Sequence, residues 1–227
     1  MHDKNNHISI VIPVFNESES ISLLIKEIIK IMNEYELIFE LIIINDGSKD
    51  KTLEVLKRLS SELNELTIID LRKNYGQTAA MAAGFDYAKG DIIITLDGDL
   101  QNDPKDIPNL INTIHDGYDL VCGWRFNRKD KLINRRIPSV IANKLIGKVT
   151  GINLHDYGCS LKAFKKEIIK DIKLYGELHR FLPVLANIEG AQIKEVKVNH
   201  RERKYGKSKY GIDRTFRVLM DLLTVWF

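Results

Sequence analysis

Cysteine is scarce in this chain of 227 residues: Cys122 and Cys159 are its only two, they stand far apart, and no CxxC pair occurs. A disulfide-stapled scaffold and a cysteine zinc site are therefore excluded, and a reducing, cytosolic setting is expected. Long apolar runs are absent as well. No stretch reaches the roughly 20 apolar residues that a bilayer crossing takes. The polar start from Met1 to His7 leads into a short run that ends in charge and does not read as a signal peptide. Familiar catalytic signatures are missing too: there is no GxGxxG, no HExxH and no Ser/His/Asp order. Gly206-Lys207-Ser208 imitates the end of a P-loop, but Arg201 holds the position of the required upstream glycine. A dinucleotide fingerprint, P-loop hydrolysis and zinc proteolysis are thereby set aside. His155, His179 and His200 have no metal-ligand spacing and read as structural or exposed.

What is present is an ordinary folded composition, 44% hydrophobic and 29% charged, with a hidden charge polarity. Residues 1–124 carry 11 Lys and Arg against 21 Asp and Glu, a balance of −10, whereas residues 125–227 carry 23 against 10, a balance of +13. A basic second half implies an anionic partner such as phosphates, nucleic acid or a membrane surface; uneven decoration of a solvated surface is the blander reading.

The first half alternates apolar runs with helical patterns. Strands are expected at 8–15, 37–45, 67–71, 92–96 and 119–123. Ile21, Leu24, Ile25, Ile28, Ile29 and Met32 fall at helical spacing, with Asn16 and Glu19 able to cap that helix. Leu53, Leu56, Leu59 and Leu63 mark a second helix after Ser48 and Asp50. Ile107, Leu110, Ile111 and Ile114 mark another after Pro104. This rhythm argues an α/β fold with a doubly wound, mostly parallel sheet flanked by helices. Ligands sit at the carboxyl ends of the strands in such sheets, where Asn16-Glu17, Asp46-Gly47-Ser48 and Asp97-Gly98-Asp99 all fall.

The second half is less regular. A basic, proline-interrupted segment spans 125–138, and a helix containing Val140, Ile141 and Leu145 follows. A strand is expected near 158–164, a helix over 177–188 and a strand over 192–198. A loop over 201–211 then leads into a tail helix at 212–227 with Ile212, Phe216, Leu219, Met220 and Leu223 on one face. Arg214, Arg217, Trp226 and Phe227 give that helix an interfacial composition, with plain core packing as the alternative.

Asp97-Gly98-Asp99-Leu100, with Gln101 behind it, is the strongest local signal. Two carboxylates one residue apart at the end of a buried strand repel each other and are poorly solvated there. A divalent cation resolves the conflict, because Mg²⁺ or Mn²⁺ takes hard oxygen ligands and bridges to substrate phosphates. A phosphorylated, nucleotide-bearing substrate follows.

Pro13-Val14-Phe15-Asn16-Glu17, Asn45-Asp46-Gly47-Ser48, Asp97-Gly98-Asp99-Leu100-Gln101 and Arg203-Lys204-Tyr205-Gly206-Lys207-Ser208-Lys209 occur in that order. Together they resemble family 2 glycosyltransferases of the GT-A fold. More narrowly, they resemble the polyprenyl-phosphate group, dolichol-phosphate-mannose-synthase-like and bactoprenol-glucosyltransferase-like. The resemblance covers essentially the whole chain. It implies that Pro13, Phe15 and Glu17 line the nucleotide pocket and that Asp46 contacts base or ribose, unless Asp46 merely forms a turn. Asp97 and Asp99, joined by Gly98 and assisted by Gln101, would hold Mg²⁺ or Mn²⁺ against the donor diphosphate. Arg203 and Lys209 would belong to a loop that closes over that diphosphate, hinged at Gly206 and Gly211. Arg125, Arg135 and Ser139 would bind the acceptor phosphate, with Arg136 competing for the place of Arg135. A solvated basic face is the alternative for any one of these arginines.

Asp156 stands where related enzymes place a catalytic base, and with Asp99 it completes the expected catalytic set. A phosphate monoester has its second pKa near 6 and is largely a dianion at neutral pH. Positioning is therefore the expected role of Asp156, with base catalysis the alternative. The resemblance implies one inverting transfer of a hexose, UDP-glucose favoured over UDP-N-acetylglucosamine and GDP-mannose, to a polyprenyl phosphate. The absence of the processive QxxRW motif fits a single transfer. The product would be a β-linked polyprenyl-phosphate sugar on the cytoplasmic face of a membrane.

Two other readings stand beside it: a same-fold enzyme with a soluble glycan or protein acceptor, and a non-catalytic sugar-nucleotide or nucleic-acid module. Sparse stacking aromatics count against nucleic acid. The expected organisation is a GT-A domain over 1–211, comprising a donor and metal half at 1–124 and an acceptor half at 125–211. An interfacial helix over 212–227 would contact the membrane surface, and its apolar end points to a longer natural chain with transmembrane segments. Self-association is left open.

Overall fold

The apolar runs of the first half become strands buried on both faces, which is why they read as continuous rather than alternating. In the computed structural model, residues 6–127, 147, 150–170 and 172–205 are described. The elements run β1 (Ile8–Val14), α1 (Ile21–Glu34), β2 (Phe39–Asn45), α2 (Thr52–Ser60), β3 (Leu66–Asp70), α3 (Gln77–Tyr87), β4 (Ile92–Thr95), α4 (Ile107–His115), β5 (Leu120–Trp124), β6 (Lys162–Lys165) and β7 (Ile193–Lys197). Short helices over Lys166–Lys170 and Leu182–Ile188 lie between β6 and β7.

These strands form one sheet in the order β3-β2-β1-β4-β6-β5-β7. All pairs are parallel except those of β6, which is antiparallel to both β4 and β5. The mostly parallel, doubly wound architecture expected from the sequence is thus observed. On one face Ile8, Ile10, Ile12 and Val14 pack with Leu24, Ile25 and Ile28 of α1 and Leu110 and Ile114 of α4. On the other, Val11, Ile42, Ile44 and Ile93 pack against Ala80 and Met81 of α3. Burial lifts the thiols of Cys122 and Cys159 to about 12 and about 11, so both are held protonated and inert.

Several expectations are corrected. Helix α1 starts at Ile21 after Ser20, while the Asn16 side chain accepts from the Lys49 amide at 2.7 Å instead of capping it. Leu63 lies beyond the end of α2. Helix α3 is unanticipated because its sequence, QTAAMAAGFDY, has no polar-apolar period to read. A Cβ on Gly84 would stand 2.4 Å from Val11 Cγ1 and 2.8 Å from Ile44 Cδ1, so only glycine lets α3 lie this close to the sheet. The helix expected over 177–188 is divided into a 3-10 turn at Leu178–Arg180 and a helix at Leu182–Ile188. Pro183 lacks the N–H that an interior position would need, so it sits in the first turn. The helix containing Val140, Ile141 and Leu145, and the tail at 212–227, lie outside the described residues. No described helix is long and apolar enough to cross a membrane.

Candidate active site at the switch point

Strand order reverses between β1 and β4, and a ligand crevice opens at the carboxyl ends of such a pair. Local chemistry opens it further. Pairing of β1 with β4 ends at Val11↔Thr95, and Pro13, the next residue facing that side, has no N–H to extend it. Beyond that point β1 runs into Asn16 and Glu17, and β4 into Asp97 and Asp99.

Both turns are conformationally forced. Asn16 has φ 53° and Leu100 has φ 64°, in the left-handed region that a leucine enters only at a cost of about 1–2 kcal/mol. Burial of the Leu100 side chain in the main core offsets that cost and aims Asp99 and Gln101. Gly98 is needed because a Cβ there would meet Val14 Cγ1 at 2.7 Å. The Gln101 amide donates to Asp99 Oδ1 at 3.0 Å. Asp97 Oδ1 accepts from Gln77 Nε2 at 2.8 Å, which ties the start of α3 to the acidic loop.

Asp99 is 7% exposed, and its carboxyl is pushed up to about 6. Burial is the largest cause and the charge of Asp97 the next, with Arg203 and the Gln101 amide pulling the other way. Arg203 lays Nη2 on Asp99 Oδ2, and its Nη1 lies 3.9 Å from Glu17 Oε1. Glu17 is held by the Ser20 hydroxyl at 2.7 Å and by its own amide donating to Thr52 at 2.9 Å. The structure therefore gathers Glu17, Asp99 and Arg203, residues from three of the four motifs, with the charge of Asp97 acting on Asp99.

Other expected residues have partners of their own. The Asp46 carboxylate accepts from the amides of Tyr75 and Gly76 at 2.7 and 2.9 Å and so shapes the entry to α3. Pro13 and Phe15 are half-buried on the β1 side of the crevice. The Gln101 side chain reaches the Arg201 carbonyl at 3.4 Å, so its observed contact is to the loop carrying Arg203. Arg201 fastens that loop through Glu27 and Asp103, both at 2.6 Å.

Arg125 and Asp156 form a second centre. Nε and Nη2 of Arg125 reach the two carboxylate oxygens at 2.7 and 2.8 Å, a bidentate fork. Glu195 clasps the backbone amides of His155 and Asp156 at 3.1 and 2.9 Å and thereby sets the carboxylate in place. Asn102 ties the acidic loop to the segment before β6, accepting from the Asp97 amide at 3.3 Å and the Ser160 hydroxyl at 2.9 Å. Beside Asp97 a cavity is lined by Gln77, Thr95, Ser160, Lys162, His179 and Arg180, among others. No motif marks Gln77, Asn102 or Arg180; the helical start at 77 is the one available signal, hidden by the alanine-rich pattern. Arg135, Arg136, Ser139, Gly206, Lys209 and Gly211 lie outside the described residues.

Among the described residues no group of three or more His, Cys, Asp or Glu forms a metal cage. The donor set still fits a divalent cation of the Mg²⁺ or Mn²⁺ kind. Such ions are commonly held by one or two carboxylates and completed by substrate phosphates. Asp99 is buried beside the charge of Asp97, and a divalent cation there would relieve a repulsion that Arg203 already offsets in part.

An acidic crevice at the switch point of a doubly wound sheet defines an α/β domain of the nucleotide-binding class. The chain belongs to Glycosyl transferase family 2, whose family model matches residues 9–173. It is 50% identical over 224 residues to a dodecaprenyl-phosphate galacturonate synthase of Rhizobium johnstonii, covering 97% of this chain and 66% of that protein. It is 42% identical over 223 residues to an undecaprenyl-phosphate 4-deoxy-4-formamido-L-arabinose transferase of Proteus mirabilis, covering 98% and 68%. These relatives are polyprenyl-phosphate glycosyltransferases by name, the group that the sequence motifs resemble, and the chain spans about two thirds of their length.

Among solved structures, glucosyl-3-phosphoglycerate synthase from Mycobacterium tuberculosis with Mn²⁺ and UDP-glucose superposes with a TM-score of 0.72 at 20% identity, over 97% of this chain and 79% of that one. A Pyrobaculum calidifontis mannosyltransferase with GDP-mannose and Mn²⁺ gives 0.66 at 17% identity, over 92% and 60%. At these identities the likeness is one of fold.

Proposed function

We propose that this chain transfers a carboxylated hexose, galacturonic acid, from a nucleoside diphosphate to a polyprenyl phosphate at a membrane surface. The observation that carries transfer is the cluster of Glu17 and Asp99 around Arg203 with Asp97 beside it, a charge arrangement suited to a metal-bound diphosphate. The name of the relative at 50% identity supports the sugar, in place of the UDP-glucose favoured from the motifs alone.

In this reading Pro13, Phe15 and Glu17 line the nucleoside side of the crevice, and Asp46 holds its wall and reaches the base or ribose. Asp97 and Asp99, with Gln101 nearby, would hold Mg²⁺ or Mn²⁺. The ion, when bound, supplies positive charge to the departing nucleoside diphosphate. Arg203, with Lys209, meets the same diphosphate from the other side. Arg125, with Arg135 and Ser139, holds the acceptor phosphate. Two Arg125 donors serve Asp156, and in this reading the remaining guanidinium N–H groups would serve the acceptor phosphate. The phosphate oxygen forms the new bond to the anomeric carbon as the bond to the diphosphate oxygen breaks and its electron pair leaves with the nucleotide. Configuration inverts, giving a β-linked product. The acceptor arrives largely as a dianion, so no proton need be removed. Asp156, both oxygens occupied by Arg125, positions that arginine.

The test is transfer of radiolabelled galacturonic acid from UDP-galacturonic acid to a short-chain polyprenyl phosphate with Mn²⁺. Label should enter the organic phase, and Asp99→Ala should abolish it with the fold retained. Transfer to a free glycan but not to the lipid phosphate overturns the reading.

A further inference from the structure

The strand order lays the substrate out across the sheet. In the reading above the nucleoside would lie at the ends of β1 and β2 and the diphosphate at the end of β4; the next position in the sheet belongs to β6, before Arg125 at the end of β5. The transferred sugar, bonded to the diphosphate, therefore falls in the cavity between Asp97 and β6. A neutral hexose would need only hydroxyl partners there, yet this cavity is lined by two cations, Lys162 and Arg180.

Lys162 is 3% exposed, and its ammonium is bonded to the backbone carbonyls of Tyr157 and Cys159 rather than to a carboxylate. It stiffens the loop that forms the cavity wall and leaves its charge uncompensated by any acidic side chain among the described residues. Asp97 is the one carboxylate of the lining among the described residues; it is already engaged by Gln77 and in the proposed reading would serve the ion. Arg180 ends the 3-10 turn Leu178–Arg180, a turn pinned on both sides. Leu178 and Phe181 are 1% and 0% exposed in a satellite core with Tyr157, and His179 Nδ1 meets Thr78 Oγ1 at 2.6 Å. Arg180 stands on that turn at the cavity wall, and a guanidinium carries the planar fork that suits a carboxylate.

We propose that Arg180 is the specificity-determining residue that binds the carboxylate of the donor sugar, with Lys162 adding to the positive field. This rests on the lipid-phosphate transferase reading above. The shared chemistry is an anion, and the acceptor phosphate is its other source, so the two substrates are varied separately.

Purified protein with Mn²⁺ and a short-chain polyprenyl phosphate is given UDP-galacturonic acid or UDP-galactose, which differ only in carboxylate against hydroxymethyl. Wild type should favour the first by about 100-fold or more in kcat/KM. Arg180→Gln should lower kcat/KM for UDP-galacturonic acid about 100-fold and leave UDP-galactose within about 3-fold, with the KM for polyprenyl phosphate unchanged. Arg180→Lys, which keeps the charge and loses the fork, should fall between and serves as the readout if Arg180→Gln does not fold. Equal losses on both donors, or a raised KM for the lipid phosphate, overturn the assignment, as does a wild type that uses both donors equally well. Failure of wild type to label the lipid from either donor overturns the transferase reading, and this inference falls with it.

Discussion

Arg203 rests on Oδ2 of Asp99, the carboxylate that a divalent cation would need. One cationic group thus stands at the place of another, on a loop fastened through Arg201 to Glu27 and Asp103. Replacing Arg203 with Gln should tighten nucleotide-free Mn²⁺ binding by about tenfold, because a positive charge within a few ångströms of the ion is removed. The same change should slow transfer about 100-fold, since charge leaving on the diphosphate loses a partner. Electron paramagnetic resonance of free Mn²⁺ reads the first and initial rates the second; unchanged Mn²⁺ affinity would show that Arg203 does not contend for the site.

Asp99, raised to about 6, makes metal binding depend on pH. A cation binds the ionised carboxylate, so Mn²⁺ affinity should be level above pH 7 and fall towards tenfold per unit below about 6. Binding at pH 6 should release protons, measurable by calorimetry in buffers of different ionisation enthalpy. In the metal-free protein the sign for folding is opposite. The raised pKa contributes stability that is fully present below 3.8 and lost as pH rises through about 6.

The Arg125–Asp156 fork is nearly buried, with side-chain exposures of 15% and 5%. Removing one partner strands the other, so Arg125→Ala or Asp156→Ala should each cost about 3–5 kcal/mol in urea unfolding. The double variant should cost much less than the sum of the two. Additive losses would show that each residue draws its stability from elsewhere.

Gly84 sits inside α3, where alanine would ordinarily gain about 1 kcal/mol of helix propensity. Contacts at 2.4 and 2.8 Å reverse the sign. Overpacking of this kind costs about 1–3 kcal/mol, so Gly84→Ala should lower the thermal midpoint, and adding Val11→Ala should restore part of it.

Much of the molecule was legible because strand burial and turn chemistry are written locally. The strands at Ile8–Val14, Phe39–Asn45 and Ile92–Thr95 showed as apolar runs, and the acidic loops after them as motifs. Helix α3 was not legible, because Ala and Gly carry no periodic signal while their small size is what the sheet requires. The antiparallel entry of β6 was likewise hidden, since strand direction is set by how the chain returns across the sheet and not by the composition of KAFK.

The acidic motifs, their order and their places after strands are written locally in the chain, because turn-forming and charged residues act over a few positions. Folding is what brings Arg203 to Asp99, clasps Arg125 to Asp156, and sets Arg180 in one cavity with Asp97. Those pairs join residues 31 to 104 positions apart. Their meeting depends on Pro13 ending the ladder, on Gly84 admitting a helix, and on the crossing that sets β6 beside β4. Local chemistry supplies the charges, and packing over long separations in the chain chooses their partners.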